Sequence, residues 1–327
     1  MAIADKRILI TGATGFVGAC LARRLVGMGS QVAAIMRENS DTWRINDILK
    51  DIRVCHGDLL DQEQVRQIVK DTRPEIIFHL ATYGAYSFQN RIDRIFDTNI
   101  LGTLHLITAL TGTEFDILVN TGSSSEYGVK DNPMAESDLL EPINVYGASK
   151  ASATLLCQSL ARSMDLAVVT LRLFSAYGPY ESGGRLIPYI ITSCLGGKDL
   201  DVTKGEQRRD FLFVEDIVES YLMAASSRRH AGQIFNIGSG KGYMIKEVIQ
   251  KIVEQVGNPV SVRWGAVPYR KGEMWTWQAD ISRAESVLGW TPGTSLEDGL
   301  RKTIEWFRGN MHLYRRADSG DYHASYV

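Results

Sequence analysis

Apolar runs separated by glycine-marked breaks set the pattern of the first forty residues. RILI (7–10) reads as a short strand, TGATGFVG (11–18) as a glycine turn, and ACLARRLVGMG (19–29) as a helix that ends in glycine. QVAAIM (31–36) reads as a second strand. A strand, a glycine turn, a helix and a parallel strand form a right-handed βαβ unit. The alternation continues through IRVCHGDLLD (52–61), EIIFHLAT (75–82), FDILVNTGSSSEYG (115–128) and LAVVTLRLF (166–174), with helical segments between them. This order predicts an α/β fold built on a doubly wound parallel sheet, with ligands at the carboxyl ends of its strands.

The glycine turn carries the first chemistry. Gly12 and Gly15 let backbone N–H groups approach a pyrophosphate, and Gly18 lets the helix pack closely on the strand. The spacing is G-x-x-G-x-x-G, and its place between a strand and a helix points to a dinucleotide. A site selective for NAD ends its second strand in Asp or Glu, which holds the ribose 2′-hydroxyl. Here that position falls on Met36, followed by Arg37, with Ser40 and Arg44 close behind. Cations and a hydroxyl suit a 2′-phosphate, so NADP(H) is the expected cofactor and NAD the alternative; a solvated loop with two arginines would explain the residues without a ligand. Asp58, after the third strand, is expected at the adenine.

INVYGASKAS (143–152) adds a proton-handling pair. On a helix, Tyr146 and Lys150 share a face at i and i+4. An ammonium beside a phenol favours the phenolate, as would an oxidised nicotinamide, so the expectation is a Tyr146 tuned downward toward neutrality. Such a group exchanges protons with a hydroxyl or carbonyl.

Composition narrows the partners. The chain has 327 residues, 44% hydrophobic and 23% charged, with a formal charge of -2. That balance offers no reason to expect nucleic acid or an anionic membrane as a partner. No apolar run approaches the ~18 residues of a spanning helix, and MAIADKRILITGATG does not read as a signal peptide. Cys20, Cys55, Cys157 and Cys194 are scattered without metal spacing, so no metal is expected and the thiols read as reduced, in a cytoplasmic protein.

TGATGFVG, HLAT, DTNILGT, TGSSSEYG, YGASK, LRLFSAYGP, RRDFLFVEDIV and ADISRAESVLGW occur in one order over roughly residues 6–310. Together they resemble the extended short-chain dehydrogenase/reductase family, in its branch that acts on nucleotide-diphosphate sugars. The resemblance implies a Rossmann-type domain over 1–175 with 211–237 returning to it. It also implies a smaller α/β sugar-nucleotide domain from 176–210 and 238–315, followed by a tail at 316–327. Tyr146 would be the general acid/base and Ser123 would polarise the sugar C4 oxygen. Lys150 would hold the nicotinamide ribose. Cofactor contacts would extend to Thr14, Phe16 and Val17 in the glycine turn, and to Leu59, Leu80 and Ala81 after later strands. Phe174 and Asn99 would complete them, Asn99 also supporting the active-site helix. Arg209 and Arg270 match arginines at the diphosphate and nucleotide, suited by their paired donors. Arg185, Ser124 and Tyr83 would also face the substrate, with Tyr86 and Phe88 beside them. The family commonly forms a homodimer through the Tyr/Lys helix, to which Leu155, Leu156 and Leu160 could contribute.

The same comparison ranks the reactions. Family 4,6-dehydratases carry an acid two positions before the YG tyrosine, where this chain has Ser125; Glu126 is one residue late and, on a strand, would face the other way. That leaves an NADPH-dependent 4-ketoreductase first and an NAD-dependent 4-epimerase second, with the dehydratase third. A redox sensor without catalysis is the reading from another class, and the complete Ser123/Tyr146/Lys150 set argues against it.

Overall fold

Seven strands hydrogen-bond into one parallel sheet: β1 (Arg7–Thr11), β2 (Gln31–Met36), β3 (Arg53–His56), β4 (Ile76–His79), β5 (Ile117–Ser123), β6 (Val168–Leu173) and β7 (Ile234–Ile237). Their order across the sheet is β7-β6-β5-β4-β1-β2-β3, and every neighbouring pair is parallel. The structure, a computed structural model, describes residues 3–269 and 273–314. Arg270 and the 316–327 tail lie outside the described residues.

The strands are apolar on both faces because helices cover both. In β2 all residues after Gln31 are buried, and β4 is buried throughout. The helices are α1 (Phe16–Gly27), α2 (Gln62–Thr72), α3 (Ile92–Phe96 through a π-turn Asp97–Leu101 to Gly102–Leu110) and α4 (Val145–Met164), then α5 (Leu186–Leu195), α6 (Val214–Ala225), α7 (Ile245–Val256) and α8 (Leu296–Asn310). The sheet runs outward in both directions from the β1/β4 pair, and a crevice opens at the carboxyl ends where the winding reverses.

A second apolar cluster lies apart from the sheet core. In α7, Ile245, Val248, Ile249, Ile252 and Val256 are buried at helical spacing. They pack with Ile190 and Ile191 of α5 and with Leu300, Ile304 and Phe307 of α8. Among the described residues no helix is long and apolar enough to cross a membrane.

Candidate active site

The glycine turn is shaped by contacts that tolerate no side chain. Gly12 has φ +76°, and a Cβ on it would sit 2.6 Å from the Ala81 nitrogen. On Gly18 a Cβ would meet the Gly12 carbonyl oxygen at 2.1 Å. Gly15 donates its N–H to the Gly12 oxygen at 3.0 Å and caps α1, whose first turn has no acidic residue and no side-chain cap. The first-turn N–H groups, among them those of Phe16 and Val17, therefore point outward at the positive end of the helix, beside Thr14. These features fit a dinucleotide pyrophosphate. Ala81 is brought against the turn, its N–H donating to Thr11 Oγ1 at 3.2 Å.

At the end of β2, Met36 is buried and paired in register with His56. Arg37 is exposed, and the Ser40 N–H folds back to its carbonyl at 3.0 Å. Arg44 departs from expectation. Its Nε donates to the Tyr180 carbonyl at 2.8 Å, Nη2 to Ser182 Oγ at 2.9 Å and Nη1 to the Thr14 carbonyl at 3.3 Å. Arg44 thus straps the glycine turn to the loop before α5, with three of its five N–H donors engaged. The same loop holds Tyr180 at φ +70°, left-handed for a non-glycine residue, with Arg23 4.2 Å from its ring centroid.

Other cofactor-side expectations also shift. Asp58 Oδ1 accepts the Leu60 N–H at 3.0 Å, which orders the turn after β3. Leu59 and Leu80 put their side chains into the sheet core, and Phe174 joins a small cluster with Tyr127, Met134 and Ala279, so cofactor contact from these three would be through backbone. Asn99 is 1% exposed and its amide is fully used. Its Oδ1 accepts from Thr82 Oγ1 at 3.1 Å and the Tyr83 N–H at 2.9 Å; its Nδ2 donates to the Tyr83 carbonyl and Ser149 Oγ, both at 2.8 Å. It supports the active-site helix and has no side-chain donor left for a cofactor. A π-turn places it there.

Ser123 ends β5, and Tyr146 and Lys150 stand on the first turns of α4, whose start is capped by Asn144 accepting the Gly147 N–H at 2.7 Å. Removal from water pushes the Tyr146 phenol above its ordinary range, against the hydroxyls of Ser123 and Thr82 and the cation of Arg185. The expected downward tuning is therefore reversed for the protein's own groups. Lys150 is 4% exposed; burial lowers its pKa, and the largest opposing influence is Glu126.

Glu126 explains why no carboxylate faces the crevice at this strand end. It lies on a short 3-10 turn, Ser124–Glu126, fully buried. Oε1 accepts the Ser123 N–H at 2.8 Å and Thr154 Oγ1 at 3.0 Å; Oε2 accepts Arg172 Nε at 2.7 Å. The carboxylate is a brace beneath Ser123, turned away from the crevice as its position in the sequence implied, but by a turn rather than by strand alternation.

On the far side of the crevice, Arg185 donates to the Ala85 carbonyl at 2.7 Å and lies 4.5 Å from the Tyr86 ring centroid. Tyr83 is pinned through its backbone by Asn99, Phe88 is exposed and stacks on Tyr86, and Ser124 is buried beside Ser123. Arg209 pairs with Glu273 and donates to the Met274 carbonyl at 2.7 Å, so a phosphate there would have to share or displace Glu273.

Residues 8–238 match the model of the NAD dependent epimerase/dehydratase family. The chain belongs to that family. Its UDP-glucose 4-epimerase relative from Corynebacterium glutamicum is 29% identical, over 88% of this chain and 91% of that protein. The dTDP-glucose 4,6-dehydratase of Streptomyces niveus is 27% identical, over 96% of each. The solved structure of MoeE5 in complex with UDP-glucose and NAD superimposes with a TM-score of 0.82 at 31% identity, covering 93% of this chain and 99% of that one. As a member of the epimerase/dehydratase family the protein is an enzyme of the extended short-chain dehydrogenase/reductase type.

Sequence reasoning missed Thr82, Arg172 and His79. Arg172 had a signal: a lone cation inside VVTLRL, a strand otherwise apolar or uncharged, needs a buried partner. His79 is 2% exposed; its Nδ1 meets Thr11 Oγ1 at 2.7 Å and its Nε2 meets Thr103 Oγ1 at 2.9 Å. Thr103 spends its proton on the Asn99 carbonyl, so His79 donates from Nε2 and is neutral. Burial, then the Lys150 charge, lower its pKa from 6.5 to about 3. The unfolded chain binds this proton below 6.5 and the folded one does not, so stability falls as pH drops through that window, by roughly 1.4 kcal/mol per unit. Urea midpoints at pH 7 and pH 5 will show this slope, and His79→Gln will flatten it.

Proposed function

We propose that this enzyme reduces the 4-keto group of a nucleotide-diphosphate sugar with NADPH. The observation that carries the choice is the end of β2, where buried Met36 offers the ribose 2′-hydroxyl no acceptor and exposed Arg37 would be free to meet a 2′-phosphate. A bound nicotinamide would supply the hydride to C4. Ser123 would hold the C4 oxygen, and Tyr146 would give that oxygen its proton. A phenol kept protonated by burial suits a group that must arrive loaded with that proton. Lys150 and Tyr146 would hold the nicotinamide ribose, and the α1 N-terminus the pyrophosphate. The locked position of Glu126 speaks against water loss, because elimination needs a carboxylate at the sugar. The unit formed from 176–210 and 238–315 would take the sugar nucleotide, with Arg185 and Arg209 as the candidate phosphate partners. Exposed Ile92, Phe96 and Leu155 on α3 and α4 support a homodimer in this reading, while Leu160 packs on the sheet core.

A second reading, an NAD-dependent 4-epimerase, is favoured by the epimerase among its relatives and by the NAD in MoeE5. Arg37→Ala separates the two. In a reductase it raises the KM for NADPH by about tenfold or more and leaves NADH unaffected, as loss of a charge-assisted contact requires. Equal response to both cofactors, with C4 epimers interconverted and no cofactor consumed, would replace the reductase by the epimerase.

A further inference from the structure

The hydroxyl of Ser182, in the loop before α5, joins two parts of the crevice rim. Arg44 Nη2 donates to Ser182 Oγ at 2.9 Å, and the Tyr86 hydroxyl hydrogen-bonds the same oxygen, also at 2.9 Å. One proton and two lone pairs let a serine serve both partners at once. Arg44 belongs to the connection that follows β2, and Tyr86 to the connection that follows β4. Across the sheet the order is β4-β1-β2, so β1 stands between those two strands. A link from Arg44 through Ser182 to Tyr86 therefore spans the carboxyl end of β1, where the glycine turn begins. Arg44 also holds the turn itself, its Nη1 donating to the Thr14 carbonyl at 3.3 Å.

Both supports of this span are fixed. Arg44 Nε donates to the Tyr180 carbonyl at 2.8 Å, and the Tyr314 hydroxyl, beyond the end of α8, donates to the Glu181 carbonyl at 2.7 Å. Two successive residues before Ser182 are thus held through their backbone. On the β4 side, Arg185 donates to the Ala85 carbonyl at 2.7 Å and lies 4.5 Å from the Tyr86 ring centroid. The joint is weaker than its supports, being two side-chain bonds on one partly exposed hydroxyl. Such bonds add little net stability, so the span opens at Ser182 while the loops on either side stay in place.

We propose that Ser182 is the joint of a clasp that closes over the pyrophosphate of the bound dinucleotide and gates its exchange. The inference deepens the reading of the glycine turn as a pyrophosphate site and rests on it. It applies equally to a cofactor consumed in each turnover and to one retained through many. A dinucleotide entering or leaving the turn has to part Ser182 from Arg44 or from Tyr86, so entry and exit wait on the same opening. A ligand contact differs: its loss speeds exit and leaves entry nearly unchanged.

The test uses the full chain with Ser182→Ala, which breaks both arms, and Tyr86→Phe, which breaks one. Association and dissociation of NADPH and of NADH are followed by stopped flow, through nicotinamide fluorescence excited by way of tryptophan. In Ser182→Ala both rate constants rise about tenfold while the Kd stays within about twofold, as loss of a hydrogen bond to a charged group at a gate requires. Tyr86→Phe speeds both by a smaller factor. Adding it to Ser182→Ala changes nothing further, because both substitutions remove the same bond. Exchange at the wild-type rate in Ser182→Ala overturns the clasp and leaves the cofactor reading standing. Faster dissociation alone, with weaker binding, also overturns it, since that marks a direct contact with the ligand. A wild type that binds neither dinucleotide overturns the placement of the pyrophosphate, and the clasp with it.

Discussion

Tyr146→Phe is expected to lower turnover by roughly 10²–10⁴-fold, the range of a positioned general acid, with cofactor binding nearly intact. The ring stays, and with it the packing against Gly84. The α1 N-terminus and Lys150 are untouched. Only the phenolic O–H is removed, so in the proposed reduction the step lost is proton delivery at the sugar oxygen. Steady-state rates together with a cofactor titration check this, and near-normal turnover in the variant would remove Tyr146 from the reaction.

Glu126→Ala is expected to cost about 3–5 kcal/mol of stability, because it leaves one partner of a buried ion pair uncompensated. Arg172 is 2% exposed and would keep its charge in the sheet core with only Tyr127 beside it. The Ser123 N–H and the Thr154 hydroxyl would lose their acceptor at the same time. Urea midpoints measure the loss. Glu126→Leu combined with Arg172→Met should recover most of it, since apolar residues of similar volume replace buried ion pairs at little cost. Turnover should stay low in the double variant, because nothing then braces Ser123. A single variant as stable as wild type would show that the pair contributes nothing.

The sheet was legible because its signals are local: apolar runs, a glycine turn and helix breaks recur in the order a doubly wound fold needs. Gly12 and Gly18 were readable as close approaches for the same reason, since no other residue fits there. Motif order pointed to Ser123, Tyr146 and Lys150 but carried nothing of their electrostatics. Desolvation of Tyr146 depends on everything packed around it, and no spacing in YGASK reports that. The partners of Arg44 were not legible, because the carbonyls of Thr14 and Tyr180 are backbone atoms and Tyr180 is distant in sequence. Glu126 was placed on the correct side for an incomplete reason: the chain leaves β5 into a turn whose capping geometry aims the carboxylate inward. Thr82 carries no local signal, because its bond to Asn99 exists only once the end of β4 meets the π-turn.

The two apolar clusters interleave along the chain. The second is built from α5 on one side and from α7 and α8 on the other, while α6 and β7, which lie between them in sequence, belong to the sheet core. During synthesis the smaller body therefore cannot assemble from the first half of its own residues. The sheet edge closes only when β7 has emerged. A truncation after β7 would strand α5 with an uncovered apolar face, and a fragment beginning at α7 would lack α5 altogether. Neither cluster can be expressed alone as a faithful copy of itself, so the order of translation becomes the order in which the two clusters can close.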